Sequence, residues 1–490
     1  MKANGWKRSW HRLSSWSKRS NTEAAINNTQ AAQAKTLKEP SVNDLWFLPL
    51  GGCGEIGMNL NLYGHAGRWL MVDCGVTFNN PLSPDYQPDS TLASAEVLTA
   101  DPAFISARRD LLCGIVITHA HEDHIGALPA LWPRFQCPVY TTPFTAEVLR
   151  RKLAGTDLAQ QIPIIEIASG DTANIGPFAV HFQAITHSIP EPQALVIKTL
   201  AGSIFHTADW KMDANPITGR AFKAAPFMRL GGQNITAMVC DSTNALRAGF
   251  SISESDCAKA LEQVIAQATG RVVVSSFSSN VGRLISLARI AAKTGRYLAL
   301  MGRALHNMVG AARATGYWPE NLTLADAEHI GYLPKEEVLV LATGCQGEPR
   351  AALSKLANDS HPQLSLESGD LVIFSAITIP GNEMLISRLV DKFRARDINT
   401  LQSHDTPLPI HVSGHPCQGE LDLLYRWVKP QLAVPVHGEV QHMAANSEIA
   451  KAAGVSQQLT GKNGDLFVLA PKPRLWPGFA KAGRIAIARN

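Results

Sequence analysis

At 490 residues, the chain is too long for one ordinary core and allows roughly three domains of about 150 residues. Its 45% hydrophobic and 18% charged side chains are globular composition, with no apolar run of membrane-spanning length and no signal peptide, and eight cysteines without a CxxC pair exclude a cysteine zinc site and read as reduced, mainly buried cytoplasmic thiols. The formal +4 excludes a globally basic nucleic-acid binder, because residues 1–40 hold eight Lys or Arg against two Glu, a local +6 that leaves the body at −2.

Residues 1–40 are rich in Ser, Asn, Gln, Ala and basic side chains, too polar to bury a core, and read as a mobile tail. Trp6, Trp10 and Leu13 fall at helical spacing within it, compatible with an amphipathic helix on a membrane or partner surface, or with a solvated tail carrying incidental tryptophans. From Leu45 the texture changes to short apolar runs bounded by Gly, Pro, Asn and Asp: LWFLPL, LNLYG, RWLMVDCG, CGIVITH, CPVYTT, FAVHFQAITH, ALVIKTL, SIFHTAD and TAMVCDST. These predict strands of a sandwich, with helical stretches such as TAEVLRRKLAG between some of them. Around Ser253 helix-length segments alternate with single strands (SESDCAKALEQVIAQATG, RVVVSSF, NVGRLISLARIAAKTG, RYLALMG), which predicts a parallel sheet flanked by helices. After LVIFSA and a long helix, sheet and loop return with PIHVSGH, LAVPVHGEV and DLFVLAP. The simplest layout is an α/β block inserted into a sandwich.

Gly52, Gly54 and Gly57 satisfy the GxGxxG spacing of a dinucleotide site, but that fingerprint needs a helix next. MNLNLYGHAGRWLMVD follows instead and alternates like a hairpin with the turn GHAG, so the glycines read as a tight turn near the site.

The densest chemistry is ITHAHEDHIGALP, residues 117–129, directly after the apolar run LLCGIVI. Crowding His119, His121, Glu122, Asp123 and His124 beside a core costs on the order of several kcal/mol unless something binds them. A loop of this spacing can ligate two adjacent metals, His119 and His121 on one, Asp123 and His124 on the other. Imidazole and carboxylate without thiolate suit zinc, with manganese the alternative. Later strand ends offer more ligands: His187, Asp209 as a bridging carboxylate, and His437, each of which alone reads equally as a strand-end cap. Asp73 in VDCG can orient a ligand imidazole from behind.

PLGGCGEIGMN, VDCG, ITHAHEDHIGALP, ITHSIPE, HTADWKMD, DSTNALRAGF, FSSNVGR, LATGCQGEPRAAL, IPGNE, HVSGHPCQGEL and KPQLAVPVHGE occur in the order of similar segments in one family. The chain thereby resembles the β-CASP nucleases of the metallo-β-lactamase superfamily, in their ribonuclease J branch, over residues 45–472. The resemblance implies a metallo-β-lactamase αββα sandwich with an inserted β-CASP α/β domain. It divides the chain into a basic tail (1–40), the first part of the sandwich (41–253), the β-CASP domain (254–419), the second part of the sandwich (420–475) and a short C-terminal tail (476–490). It makes His119, His121, Asp123, His124, His187, Asp209 and His437 the ligands of two zinc ions, with manganese or magnesium the alternatives, and counts Asp123, Asp241 and His415 as catalytic. A histidine at the position of His437 goes with action on RNA.

The reaction so implied is hydrolysis of RNA phosphodiesters by metal-activated water, with His415, held protonated by Asp241, giving a proton to the leaving 3′ oxygen. The expected substrate is cytoplasmic single-stranded RNA, preferably 5′-monophosphorylated, attacked 5′ to 3′ with endonucleolytic cuts as a second mode, in rRNA processing and mRNA decay. Ser278, Ser279 and Asn280, with His411 and Ser413, match family loops that hold the 5′-phosphate; the plainer reading of the first three is a cap for the helix beginning near Val281. Ala208 and Trp210 stand where relatives usually show Gly and Phe, a change expected to shift the channel wall. KAGRIAIARN reads as the entrance to the C-terminal domain that many relatives use in dimerisation, which leaves a homodimer and RNA-decay partner proteins as open expectations. A small-molecule hydrolase of the same superfamily would explain the metal loop but not the insertion, HVSGH or VPVHGE. A non-catalytic RNA-binding scaffold would not need every metal ligand.

Overall fold

Side chains alternate across a strand, so a strand apolar on both faces must lie between two layers. The strand Leu45–Gly51 is buried throughout, with Leu45 and Phe47 turned to one cluster and Trp46, Leu48 and Leu50 to another. The computed structural model of the chain, which describes residues 39–79, 92–379 and 381–488, shows what these layers are.

Leu45–Gly51 sits inside an eight-stranded sheet ordered Arg474–Trp476, Leu466–Ala470, Leu45–Gly51, Leu60–His65, Arg68–Val72, Leu112–Val116, Val139–Thr141 and Ile164–Glu166. Facing it is a seven-stranded sheet ordered Gln457–Gln458, Leu432–Val436, Ala237–Asp241, Gly202–His206, Gln193–Thr199, Phe178–Ala184 and Thr172–Ile175. Phe47, Tyr63 and Val116 from the first meet Phe182, Ile197, Val239 and Val434 from the second. Helices cover both outer faces: Leu128–Phe135 packs on the first sheet, Ala224–Leu230 and Gln418–Val428 on the second.

A third sheet, all parallel, runs Tyr297–Met301, Val338–Ala342, Val272–Ser275, Leu371–Phe374, Asn399–Leu401. Val272 and Val274 turn to helices Glu254–Gln267 and Val281–Lys293, while Val273 turns to Glu383–Arg394 on the other face. This block interrupts the seven-stranded sheet between two adjacent parallel strands, since Asp241 pairs with Val436 although the whole third sheet lies between them in sequence. The αββα sandwich with an inserted α/β block is therefore the observed fold. Among the described residues no helix is long and apolar enough to cross a membrane, and all eight cysteines are free.

Several local expectations differ from what forms. Residues 1–38, with the Trp6, Trp10, Leu13 spacing, lie outside the described residues, but Glu39 belongs to the body: it accepts from Trp69 Nε1 (2.7 Å) and pairs with the buried Arg108 (2.6 Å). The expected C-terminal tail contains a strand, Arg484–Ile487, which pairs with Val97–Ala100 in a small three-stranded sheet. PIHVSGH is coil, because Pro407, Pro409 and Pro416 deny a ladder its amide donors. The glycine turn precedes a hairpin as expected, and its reversal at Ala66 and Gly67 has φ of 49° and 73°. Trp210 does not line a channel; it is fully buried in the core under the second sheet, its indole Nε1 without a hydrogen-bond partner among the described residues.

Candidate metal centre

Both large sheets turn the C-terminal ends of parallel strands to one edge, and the candidate residues gather there. Arg68–Val72 and Leu112–Val116 run parallel and release Asp73 and residues 119–124; Gly202–His206, Ala237–Asp241 and Leu432–Val436 run parallel and release Asp209, Asp241 and His437. Three of these exits turn sharply through left-handed backbone, at Asp73 (φ 65°), Ala208 (φ 50°) and His437 (φ 52°). A side chain in that conformation costs roughly 1 kcal/mol, and such strain clusters at functional sites.

Two groups of donors lie side by side. His119, His121, His187 and Asp209 bring one ligand atom each to within 4.8 Å of one another, and so do Asp123, His124, Asp209 and His437. Asp209 belongs to both. Its Oδ2 lies 3.2 Å from His124 Nε2 and 3.8 Å from Nε2 of both His119 and His187, while Oδ1 lies 3.5 Å from His437 Nδ1.

Hydrogen bonds behind the rings decide which nitrogens point inward. His187 Nδ1–H donates to the carbonyl of Gly414 (2.7 Å), so its Nε2 carries a bare lone pair. Thr118 gives its hydroxyl proton to Asp73 (3.0 Å) and accepts from His119 Nδ1–H (3.1 Å), which bares His119 Nε2. Asp73 Oδ2 likewise accepts from His124 Nδ1–H at 2.8 Å. Thr243 donates to Asp241 (2.7 Å) and accepts from His437 Nδ1–H (2.9 Å). His121 Nδ1 then faces the lone pairs of His119 and His187 at 3.0 and 3.1 Å, and one proton cannot satisfy both.

Electrostatics separates the groups. Burial, with help from neighbouring imidazoles, holds His119 and His187 well below the ordinary range; burial also brings His121 to about 4. Burial thus favours the neutral imidazole in all three. Burial works against charge on His124 and His437 too, but Asp209 and the other nearby carboxylates outweigh it and raise both well above the ordinary value. The carboxylates of the second group thus favour positive charge beside them. Converging lone pairs on one side and carboxylates demanding a cation on the other fit two bound metal ions.

Beside the metal groups, His415 Nδ1 pairs with buried Asp241 Oδ2 at 2.8 Å. Burial disfavours its charge, yet Asp241 and Asp209 outweigh this and raise its pKa. Its ring lies 5.1 Å from that of His187 and 5.6 Å from that of His437.

Of the phosphate-binding candidates, Ser278, Ser279 and Asn280 follow the third-sheet strand Val272–Ser275, whereas His411 and Ser413 lie on the segment that leads to His415. Asn280 caps helix Val281–Lys293, its Oδ1 accepting from Arg283 N (3.0 Å) and its Nδ2 reaching Glu254 (3.4 Å), so the capping reading describes this residue. Ser413 Oγ accepts from Asn244 Nδ2 at 2.8 Å. Burial first, then Arg283, with Arg247 and Lys211 adding, lowers the pKa of His411 to about 3 against a hydrogen bond at the Ser375 backbone. Ser278 and Ser279 stand half-buried in the turn before the cap.

Residue patterns passed over Asn59, whose Nδ2 approaches His124 Nε2 (3.1 Å), and Thr118 and Thr243, which set two tautomers. Their signal was adjacency: each lies one or two residues from a recognised group or in the glycine turn.

Three family models match the chain in succession: the beta-lactamase superfamily domain at residues 68–233, the ribonuclease J beta-CASP domain at 269–393 and the Zn-dependent metallo-hydrolase RNA specificity domain at 409–457. Among curated proteins, ribonuclease J of Sinorhizobium meliloti is 44% identical over 446 residues, covering 90% of this chain and 77% of that protein. Ribonuclease J of Mycolicibacterium smegmatis is 37% identical over 411 residues, 83% and 71% of the two chains. Among solved structures, a protein of unknown function from Enterococcus faecalis V583 aligns at a TM-score of 0.58 with 15% identity, over 87% of this chain and 100% of that one, a likeness of fold.

Proposed function

The chain belongs to the ribonuclease J family and is a metal-dependent ribonuclease, and from that premise we propose that it binds two zinc ions and degrades single-stranded RNA from the 5′ end, with internal cuts as a second mode. The observation that carries the proposal is Asp209, one carboxylate within reach of both donor groups. His119, His121 and His187 would hold one ion, Asp123, His124 and His437 the other, with Asp209 between them. Manganese or magnesium are the alternatives, most readily in the second group, where carboxylates are harder donors. Bound there, the ions supply Lewis acidity and a water acidic enough to attack phosphorus near neutral pH.

The protein's own groups do the rest. Asp73, Thr118, Thr243 and Gly414 lock four imidazoles in one tautomer, so the site is oriented before substrate arrives. Asp241 accepts from His415 Nδ1–H and thereby turns the other ring nitrogen outward as a proton donor. As water oxygen bonds to phosphorus, the bond to the 3′ oxygen breaks, its electron pair leaves with that oxygen, and His415 protonates it; the proton from water restores His415. General acid help of this kind is worth on the order of 10² to 10⁴ in rate.

In the same reading His411, Ser278 and Ser279 bind the 5′-monophosphate together with Asn280 and Ser413, with Arg283 and Arg247 supplying positive charge, and Asn280 and Ser413 also hold their loops in place. The β-CASP domain, drawn over residues 254–419, would begin where Ser253 caps the first inserted helix, and its end falls in the first turn of helix Gln418–Val428, which packs on the second sheet. RNA processing and mRNA decay in the cytoplasm are the setting we assign. The test is the purified chain with zinc or manganese on one RNA bearing 5′-monophosphate, 5′-triphosphate or 5′-hydroxyl. Mononucleotides released fastest from the monophosphate support the proposal; digestion from the 3′ end, or indifference to the 5′ group, refutes the direction and pocket.

A further inference from the structure

The chain passes between the sandwich and the inserted block twice, outward through residues 250–253 and back through residues 411–417. The passages lie beside each other: the amide of Gln418 donates to Arg247 (2.9 Å) and that of Gly419 to Gly249 (2.8 Å). Both also lie against the loop that follows Asp209, and two buried charged side chains tie the three segments together.

Lys211 is 2% exposed and donates from Nζ to the carbonyl of Ile252 on the outward passage (2.7 Å) and to that of Ser413 on the return (3.3 Å), with Asp213 at 3.5 Å. Glu420 is fully buried. Its Oε1 accepts from Met212 N and Ser251 Oγ, both at 2.7 Å; its Oε2 accepts from Ser251 N (2.9 Å) and Cys417 N (2.8 Å). One cation therefore takes a carbonyl from each passage, and one carboxylate takes an amide from each. A carboxylate offers about four acceptor positions, and all of them are used. Capping helix Gln418–Val428 needs only the amide of Cys417; the other donors lie 208 and 169 residues away in sequence.

We propose that Lys211 and Glu420 are positioning residues for RNA hydrolysis, a clamp that fixes His415 against Asp209. Asp209 lies two residues before Lys211, and His415 lies midway between Ser413 and Cys417, so the clamp grips the backbone on both sides of the two groups whose separation the reaction uses. The inference rests on His415 being the proton donor to the leaving oxygen. A displacement of about 1 Å at such a group costs roughly 10²-fold in rate.

The experiment compares turnover of RNA, whose alkoxide leaving group needs a proton, with turnover of bis(p-nitrophenyl) phosphate, whose aryl oxide leaves without one. The ratio of the two is measured for wild type, H415A, E420Q and K211M, with metal content determined on the same samples. H415A calibrates the method and should lower the ratio by about 10²-fold or more. E420Q, which turns an amide N–H toward existing donors, and K211M should each lower it by about 10-fold or more with two metal ions retained per chain. If H415A shows the split and both clamp variants slow the two substrates equally, or neither, the clamp is refuted while the proton-donor reading stands. If H415A shows no split, that reading fails and the clamp falls with it. Where E420Q does not fold, S251A removes one donor and leaves the carboxylate charged; a fall in the ratio of about threefold supports the clamp, and an unchanged ratio overturns it.

Discussion

The two halves of the metal centre share Asp209 but are built on opposite principles. His119, His121 and His187 are neutral imidazoles, held so by burial, and have no anion of their own. Asp123, His124 and His437 couple a carboxylate to two imidazoles whose pKa the surrounding negative charge raises. The first half is ready for a cation and the second must give up protons to receive one. Nearly the same residue types thus yield a softer, preset site and a harder, proton-linked one.

The largest expected effect comes from breaking what the halves share. D209A should empty both and lower RNA turnover by on the order of 10³-fold or more, since metal assistance is worth several kcal/mol, with the folded state retained by circular dichroism. Full activity, or one ion retained at full occupancy, would end the shared-carboxylate account. Next, H187A and D123A should each reduce zinc from two ions to one, H187A leaving the half that exchanges readily with manganese and D123A the half that does not; loss of both ions from either variant would mean the halves do not fill independently. Proton linkage gives a third test. Because His124 and His437 are raised, their protons compete with metal, so occupancy of the second half should rise with pH through the neutral range, whereas that of the first, with His121 at about 4, should hold down to mildly acidic pH. Titration of H187A and D123A by metal analysis at several pH values would show the two slopes, and equal slopes would break the comparison. A smaller effect belongs to D73N, which should weaken metal binding about 10- to 100-fold, mainly in the second half, where Asp73 orients His124. The smallest is A208G: glycine accepts the φ of 50° without a Cβ penalty, so stability should change by no more than about 1 kcal/mol, in the direction of a higher melting temperature, with both halves still filled.

The seven side chains that converge were legible because chemistry written in side chains survives in sequence: HAHEDH is local, and Asp209 and His437 end apolar runs. The sandwich and its insertion were legible for a similar reason, since strand-length and helix-length apolar periods change near Ser253. Glu420 was not legible as a clamp, because its partners are three backbone amides and one hydroxyl, and a main-chain amide leaves no trace in the letters. Glu39 was read as tail because its neighbours are polar, whereas its place is set by the distant Arg108 and Trp69. Asn280 was legible as a choice between cap and ligand, and its side chain does cap the adjacent helix start.

The pairing of Asp241 with Val436 across the whole inserted block has a consequence for the order of synthesis. A ribosome delivering about 5 to 20 residues per second takes roughly 10 to 40 s to pass from one strand to the other. Throughout that interval the strand Ala237–Asp241 lacks a neighbour on one side, and His437 has not been made. The side chains gathered at the two sheet edges therefore stay incomplete until the entire inserted block has been synthesised, and His437 joins them after every other member of the two donor groups.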